Sequence, residues 1–179
     1  MRKSTIFWIT GITIIFLVTL LIYSYVIPSL SAQDVVLAGT IRQIDTDAVE
    51  VELEITRKRE DKDQHIVYPV VPGWEGVTFT QEQDDAWYMP SSVGSSYLDQ
   101  VILEKYLKAQ GKTMKSADNL IGFAIPDEIG SYKLRLTLRS SDGTTQPLEN
   151  PMVYYVHNEH LLGKDLSWVT GENLEINKE

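Results

Sequence analysis

Between Lys3 and Asp34 the chain carries no charged side chain, and most of that stretch is the apolar run IFWITGITIIFLVTLLIYSYVI, Ile6 to Ile27. A helix rises about 1.5 Å per residue, so about twenty apolar residues cross a hydrocarbon layer about 30 Å thick. The run has twenty-two. Trp8 lies near one end and Tyr23 and Tyr25 near the other, where amphipathic rings favour the headgroup zone. Pro28 stops the helix beyond it. Arg2 and Lys3 precede the run, and the next basic residue is Arg42. The bias of basic residues toward the cytoplasmic side therefore predicts a signal-anchor in the plasma membrane, with residues 1–5 inside and everything after the span outside. The rival is a cleaved leader. Ser29 and Ser31 provide small residues for a cut after 31, which would release a secreted domain, but the apolar run exceeds the roughly 7–15 residues of a signal core.

The predicted organisation is a cytoplasmic end (1–5), a transmembrane anchor (6–27), a juxtamembrane linker (28–34), one extracytoplasmic domain (35–170) and a polar tail (171–179) expected to fray. Cysteine is absent from the whole chain, which excludes a lipidated-cysteine anchor, a disulfide framework and a cysteine nucleophile. Outside the anchor, 14 basic residues face 25 acidic ones, a net charge of −11. Such a surface repels nucleic acid, so none is expected as a partner.

The outer domain alternates at period two, the pattern of half-buried strands. In AVEVELEIT, Val49, Val51, Leu53 and Ile55 fall on one side and glutamates on the other. In SYKLRLTLRS, Tyr132, Leu134, Leu136 and Leu138 alternate with Lys133, Arg135, Thr137 and Arg139. The acid-faced and base-faced strands suit each other as neighbours, each charge pair adding well under about 1 kcal/mol. Asp142–Gly143 marks a turn before a return strand in MVYYVH, and further strands are expected at 35–44, 65–71, 75–80 and 120–125. A helix is expected from Tyr97 to Gln110. Its apolar stripe comprises Leu98, Val101, Ile102 and Tyr106, widened by Leu103 and Leu107, with Lys108 in the last turn and Gly111 to close it. The expected fold is mainly β, an antiparallel β-sandwich with one helix inserted near 97–110.

Leu120 to Gly143, LIGFAIPDEIGSYKLRLTLRSSDG, resembles the closing half of immunoglobulin-like extracytoplasmic domains of Gram-positive membrane-anchored proteins and lipoproteins. There an apolar strand ends in proline, a short acidic turn follows, and an alternating strand returns. The resemblance implies an immunoglobulin-like sandwich that binds or scaffolds an envelope protein or cell-wall component, without catalysis and without a cofactor.

Three clusters are candidates for chemistry. HNEH places His157, Glu159 and His160 at a strand end. Imidazoles with a carboxylate suit zinc, and with another ligand they would serve a metal-dependent cell-wall hydrolase. On a continuing strand, however, His157 and Glu159 share a face and His160 points away, so solvent-facing strand-end residues are expected instead. Asp61 and Asp63 in REDKDQH have calcium-loop spacing, but Ile66 and Pro72 stand where such a loop needs glycine and glutamate, leaving a solvated hairpin tip. TQEQDDAWYMP gathers Asp84, Asp85, Trp87 and Tyr88. Adjacent aspartates point apart and make a poor acid–base pair, so this loop is the expected partner contact. There is no G-x-S-x-G elbow, S-x-x-K or phosphate-binding glycine loop.

Overall fold

A computed structural model describes residues 11–22, 30–61, 64–71, 79–80, 92–94, 97–109, 121–140, 143–145, 147–161 and 164–177. After helix α1 (11–22) and a 3₁₀ turn at Ala32–Asp34 come β1 (Val35–Asp45), β2 (Ala48–Arg57), β3 (Gln64–Val70), β4 (Phe79–Thr80) and β5 (Ser92–Gly94). Helix α2 (Tyr97–Ala109) precedes β6 (Ile121–Ala124), β7 (Gly130–Arg139), β8 (Met152–Asn158), β9 (His160–Leu161), β10 (Lys164–Asp165), β11 (Trp168–Asn173) and β12 (Glu175–Ile176). Two five-stranded sheets, in the orders β12-β1-β2-β7-β4 and β11-β8-β3-β6-β5, enclose the core, while β9 and β10 form a separate small pair.

The alternation in β2 and β7 does what period two requires. The strands pair antiparallel from Ala48↔Arg139 to Arg57↔Gly130. Val49, Val51, Leu53 and Ile55 face inward beside Leu134, Leu136 and Leu138, none more than 2% exposed. On the outer face Arg135 reaches Glu52 at 3.0 Å, and Arg42 of β1 reaches Glu50 at 2.7 Å. The opposite wall of the core comes from Val67, Phe123, Val153 and Tyr155 of the second sheet.

β8 is apolar without alternation because both its faces are covered. Val153 and Tyr155 meet the first sheet, whereas Met152, Tyr154 and Val156 lie beneath α2. That helix buries Leu103 and Leu107, with Ile102 and Tyr106 partly covered, on Ile66, Tyr68 and Tyr154. Its buried stripe is narrower than the sequence suggests, since Val101 is exposed. The inserted helix is thus a third layer over the second sheet, and it explains why a sheet face that would otherwise meet water is apolar.

Several expectations are corrected. The sheet pairing is not wholly antiparallel, because β12 lies parallel to β1 through Thr40↔Glu175 and Ile41↔Ile176. The polar end expected to fray is paired as far as Ile176, with Leu174 buried, because β8 and β1 each offer it an edge. Of the strand expected at 75–80 only Phe79–Thr80 pairs among the described residues, against Leu138 and Thr137 of β7. The turn before β8 includes Gly143 at φ 67, the left-handed region glycine enters without steric cost.

Close packing between β1 and β2 depends on Gly39. A Cβ there would lie 2.7 Å from Leu53 Cδ2 and 2.8 Å from both the Glu52 carbonyl oxygen and Leu174 Cδ2. The backbone oxygen cannot swing aside, so Gly39→Ala is expected to destabilise the fold by about 1–3 kcal/mol through overpacking. Urea unfolding of the variant checks this. A neutral or stabilising effect would mean that β1 and β2 separate more easily than this register implies.

Candidate functional site

Among the described residues, four of the five buried polar or charged side chains, Arg57, Asp61, His65 and His157, gather at one end of the sandwich, and Ser140 lies at the other. Period two carries β2 inward through Val49, Val51, Leu53 and Ile55 to Arg57, which is 1% exposed. The same rule turns His65 of β3 inward beside Val67, and His157 of β8 inward beside Val153 and Tyr155. His65 and His157 are direct cross-strand partners, and Trp168 of β11 is the next partner of His157. Register therefore aligns three rings across the sheet. His65 stacks on His157 and His157 on Trp168, each with centroids 5.1 Å apart and planes 25° apart, while Tyr155 stacks on Trp168 at 5.6 Å.

Arg57 reaches this row from the opposite sheet. Its Nη1 donates to the Pro126 carbonyl oxygen, and its Nη2 lies 3.2 Å from His65 Nε2. A guanidinium only donates, so His65 Nε2 must accept, and the ring is neutral with its proton on Nδ1. Burial, reinforced by the Arg57 charge and by His157, pushes the His65 imidazole down to about 3. On the far side, His157 Nε2 lies 3.1 Å from Glu159 Oε2, and its Nδ1 lies 3.9 Å from Asp61 Oδ2. The Asp61 backbone N–H donates to the Asp127 carbonyl oxygen, fastening the segment after β2 to the loop before β7. Burial also raises the Tyr155 phenol above its ordinary range.

By distance alone, Asp61, His65 and His157 could hold a metal ion, since one ligand atom from each lies within 4.8 Å of the others. The electrostatics oppose it. A buried guanidinium touches His65, and the tautomer that Arg57 enforces leaves that ring no lone pair to offer a cation. The arrangement suits a sealed network in which cationic and anionic groups offset one another.

The three site expectations fare differently. His157 and Glu159 are brought together as their shared strand face implies, but His157 is fully buried and not solvent-facing. It points between the sheets because it continues the inward series of Val153 and Tyr155. His160 begins β9, the third member of the HNEH set. Asp61 is 4% exposed and is not at a solvated tip. Asp63 and the loop Asp84, Asp85, Trp87 and Tyr88 lie outside the described residues. Sequence reasoning missed Arg57, His65 and Trp168, although extending the β2 alternation by one step would have turned Arg57 inward.

No family model matches the chain, and no curated protein matches it. Among solved structures, a collagen-binding domain from a Staphylococcus aureus adhesin aligns over 78% of this chain and 96% of its own length, at 14% identity and a TM-score of 0.35. Similarity that loose decides neither fold nor function.

His65 makes stability depend on pH. Its folded-state proton affinity (about 3) lies below the ordinary value of 6.5, so the unfolded chain binds the proton more readily. The contribution of neutral His65 is therefore complete above about pH 6.5 and is lost as pH falls toward 3, at no more than about 1.4 kcal/mol per pH unit for one proton. Urea unfolding of wild type and His65→Gln between pH 7.5 and 5 should show wild type losing stability faster on acidification. A difference that stays constant across that range would contradict a neutral, buried His65.

Proposed function

We propose that the chain is a membrane-anchored, extracytoplasmic, immunoglobulin-like domain of the bacterial envelope that binds or scaffolds another envelope component and does no chemistry of its own. The observation that carries the anchored state is Leu30. It is fully buried in the sandwich core, yet it precedes the cut that a leader peptide would need after Ser31. Cleavage there would remove a core residue, a loss of the size of a buried leucine truncation, about 2–5 kcal/mol. Without the cut after Ser31 the apolar run upstream stays attached to the domain. Its described part, α1, exposes apolar side chains at Ile12 and at Ile14 through Leu17 with nothing of the sandwich covering them, as a lipid-facing helix would. Among the described residues no helix is long and apolar enough to cross a membrane. The anchor thus rests on the full run from Ile6 to Ile27.

Strand order supports the immunoglobulin-like assignment. Of the long strands, β1, β2 and β7 share one sheet and β3, β8 and β11 the other, the division of strands A, B, E from C, F, G in immunoglobulin sandwiches. Burial argues for a non-catalytic role. Among the described residues, the side chains of His157 and Asp61 are 0% and 1% exposed, which leaves a substrate no access to this cluster and weighs against the hydrolase alternative. The partner contact is assigned to the loop bearing Asp84, Asp85, Trp87 and Tyr88. The anchor raises the domain's effective concentration near the membrane for that partner.

Expressed in a bacterial host, the chain should remain in alkaline-washed membranes at its full 20.3 kDa. Leu30→Ala should lower the unfolding free energy of the detergent-solubilised protein by about 2–5 kcal/mol. A product lacking its first 31 residues, or one released by alkaline washing, would contradict the anchor. Cross-linking should capture the same envelope component with wild type but not with Trp87→Ala/Tyr88→Ala. Unchanged capture would remove that loop from the contact.

A further inference from the structure

We infer that the sandwich stands end-on to the membrane, held so that the end containing Arg57 and the loop Pro126–Gly130 rests on the phospholipid headgroups. The inference rests on the anchored reading above and adds the orientation and the lipid-facing surface. The first support is the shortness of the connection. Only Pro28 and Ser29 lie between Ile27, the end of the apolar run, and Leu30, which is locked in the core. Three residue steps span at most about 10 Å even when fully extended. The segment expected to be a free linker is therefore mostly part of the domain.

The packing after Leu30 fixes the direction further. Ser31 donates from both its backbone N–H (3.0 Å) and its hydroxyl (2.7 Å) to Asp34 Oδ2. The Asp34 carboxyl lies below its ordinary range, chiefly because of the Ser31 hydroxyl. The Lys58 N–H donates to the Asp34 carbonyl oxygen at 2.9 Å, and Arg59 pairs with the Asp34 carboxylate at 3.5 Å. These contacts tie the chain's entry point to the end of β2, so it cannot pivot as an open hinge would.

Strand register then says which residues share this end. Val35 pairs with Arg57, and Arg57 with Gly130. The tips facing the bilayer therefore include Lys58–Glu60 and Asp127–Ile129, and the β9–β10 pair follows β8 at the same end. Ile129 is 59% exposed, a large apolar side chain in the bend just before β7. Around it the exposed charges Lys58, Arg59, Glu60, Asp127 and Glu128 are of mixed sign, which suits a zwitterionic headgroup layer better than a strongly charged one. The β1–β2 hairpin at Thr46 lies at the opposite end, nine residue steps along β2, or about 30 Å further from the surface.

The chain's lack of cysteine makes the test direct. Full-length Ile129→Cys and Thr46→Cys, both at exposed positions, would each be given one fluorophore and reconstituted in phosphatidylcholine vesicles carrying nitroxide-labelled headgroups. Quenching at position 129 is expected to exceed that at position 46 at least threefold. Inserting six Gly-Ser residues between Ser29 and Leu30 should erase most of the difference, since the core contact of Leu30 stays while the tether lengthens. Equal or reversed quenching in chains that float with the vesicles overturns the orientation and leaves the anchor standing. Chains that fail to float overturn the anchored reading itself, and the orientation with it.

Discussion

The arrangement of this molecule turns on one buried charge. Arg57 ends the inward-facing series of β2, the strand most fully paired in the first sheet, and the chain then crosses to the second sheet to begin β3. Taking a guanidinium out of water costs several kcal/mol unless its donors are met. Here Pro126, in the loop before β7, and His65, at the start of β3, accept from its two Nη groups, while its Nε meets no acceptor among the described residues. One side chain thereby ties the crossing between sheets to the loop that feeds the central strand pair. The stacked His65–His157–Trp168 row lines the second sheet opposite it, and Asp61 and Glu159 flank His157 at its two nitrogens. What looks in the sequence like scattered surface charge is a plug at one end of the core.

The position of that plug gives it meaning for the whole chain. Leu30, Ser31 and Asp34 join the sandwich at the same end, so the network sits where an anchored domain would meet its membrane. Under the anchoring proposed above, a closed base would suit a domain that holds a partner at a set distance from the bilayer. Under the same proposal, a reactive cluster at that spot would face lipid instead of substrate. The inserted helix α2 serves the fold by covering the second sheet, which frees β8 to be apolar on both faces.

Much of this was legible in the sequence, for physical reasons that differ by element. β2 and β7 announce themselves because one face is apolar and the other charged, and α2 because its stripe has helical spacing. β11, WVTGEN, was hidden because it is an edge strand paired with β8 alone, with residues only partly buried. β12 was hidden because its pairing is parallel and involves two residues, set by where β11 delivers the chain. The site was the least legible part. Arg57, His65 and His157 all fall in inward register, but residue chemistry pointed to solvent, and only the converging neighbours make their burial tolerable. Leu30 reads as linker until the core shows a place for it.

The claim that Arg57 closes this end as a unit is tested most directly by backbone hydrogen exchange, residue by residue, in wild type and Arg57→Met. The amides of Lys58, Asp61 and Ile125 donate to Asp34, Asp127 and His65 across the junction. In wild type they should be protected nearly as well as the amides between β2 and β7. In the variant they should lose protection by tenfold or more, while the β2–β7 ladder keeps its own. Rapid exchange at these three amides in wild type, or unchanged protection in the variant, would contradict the account.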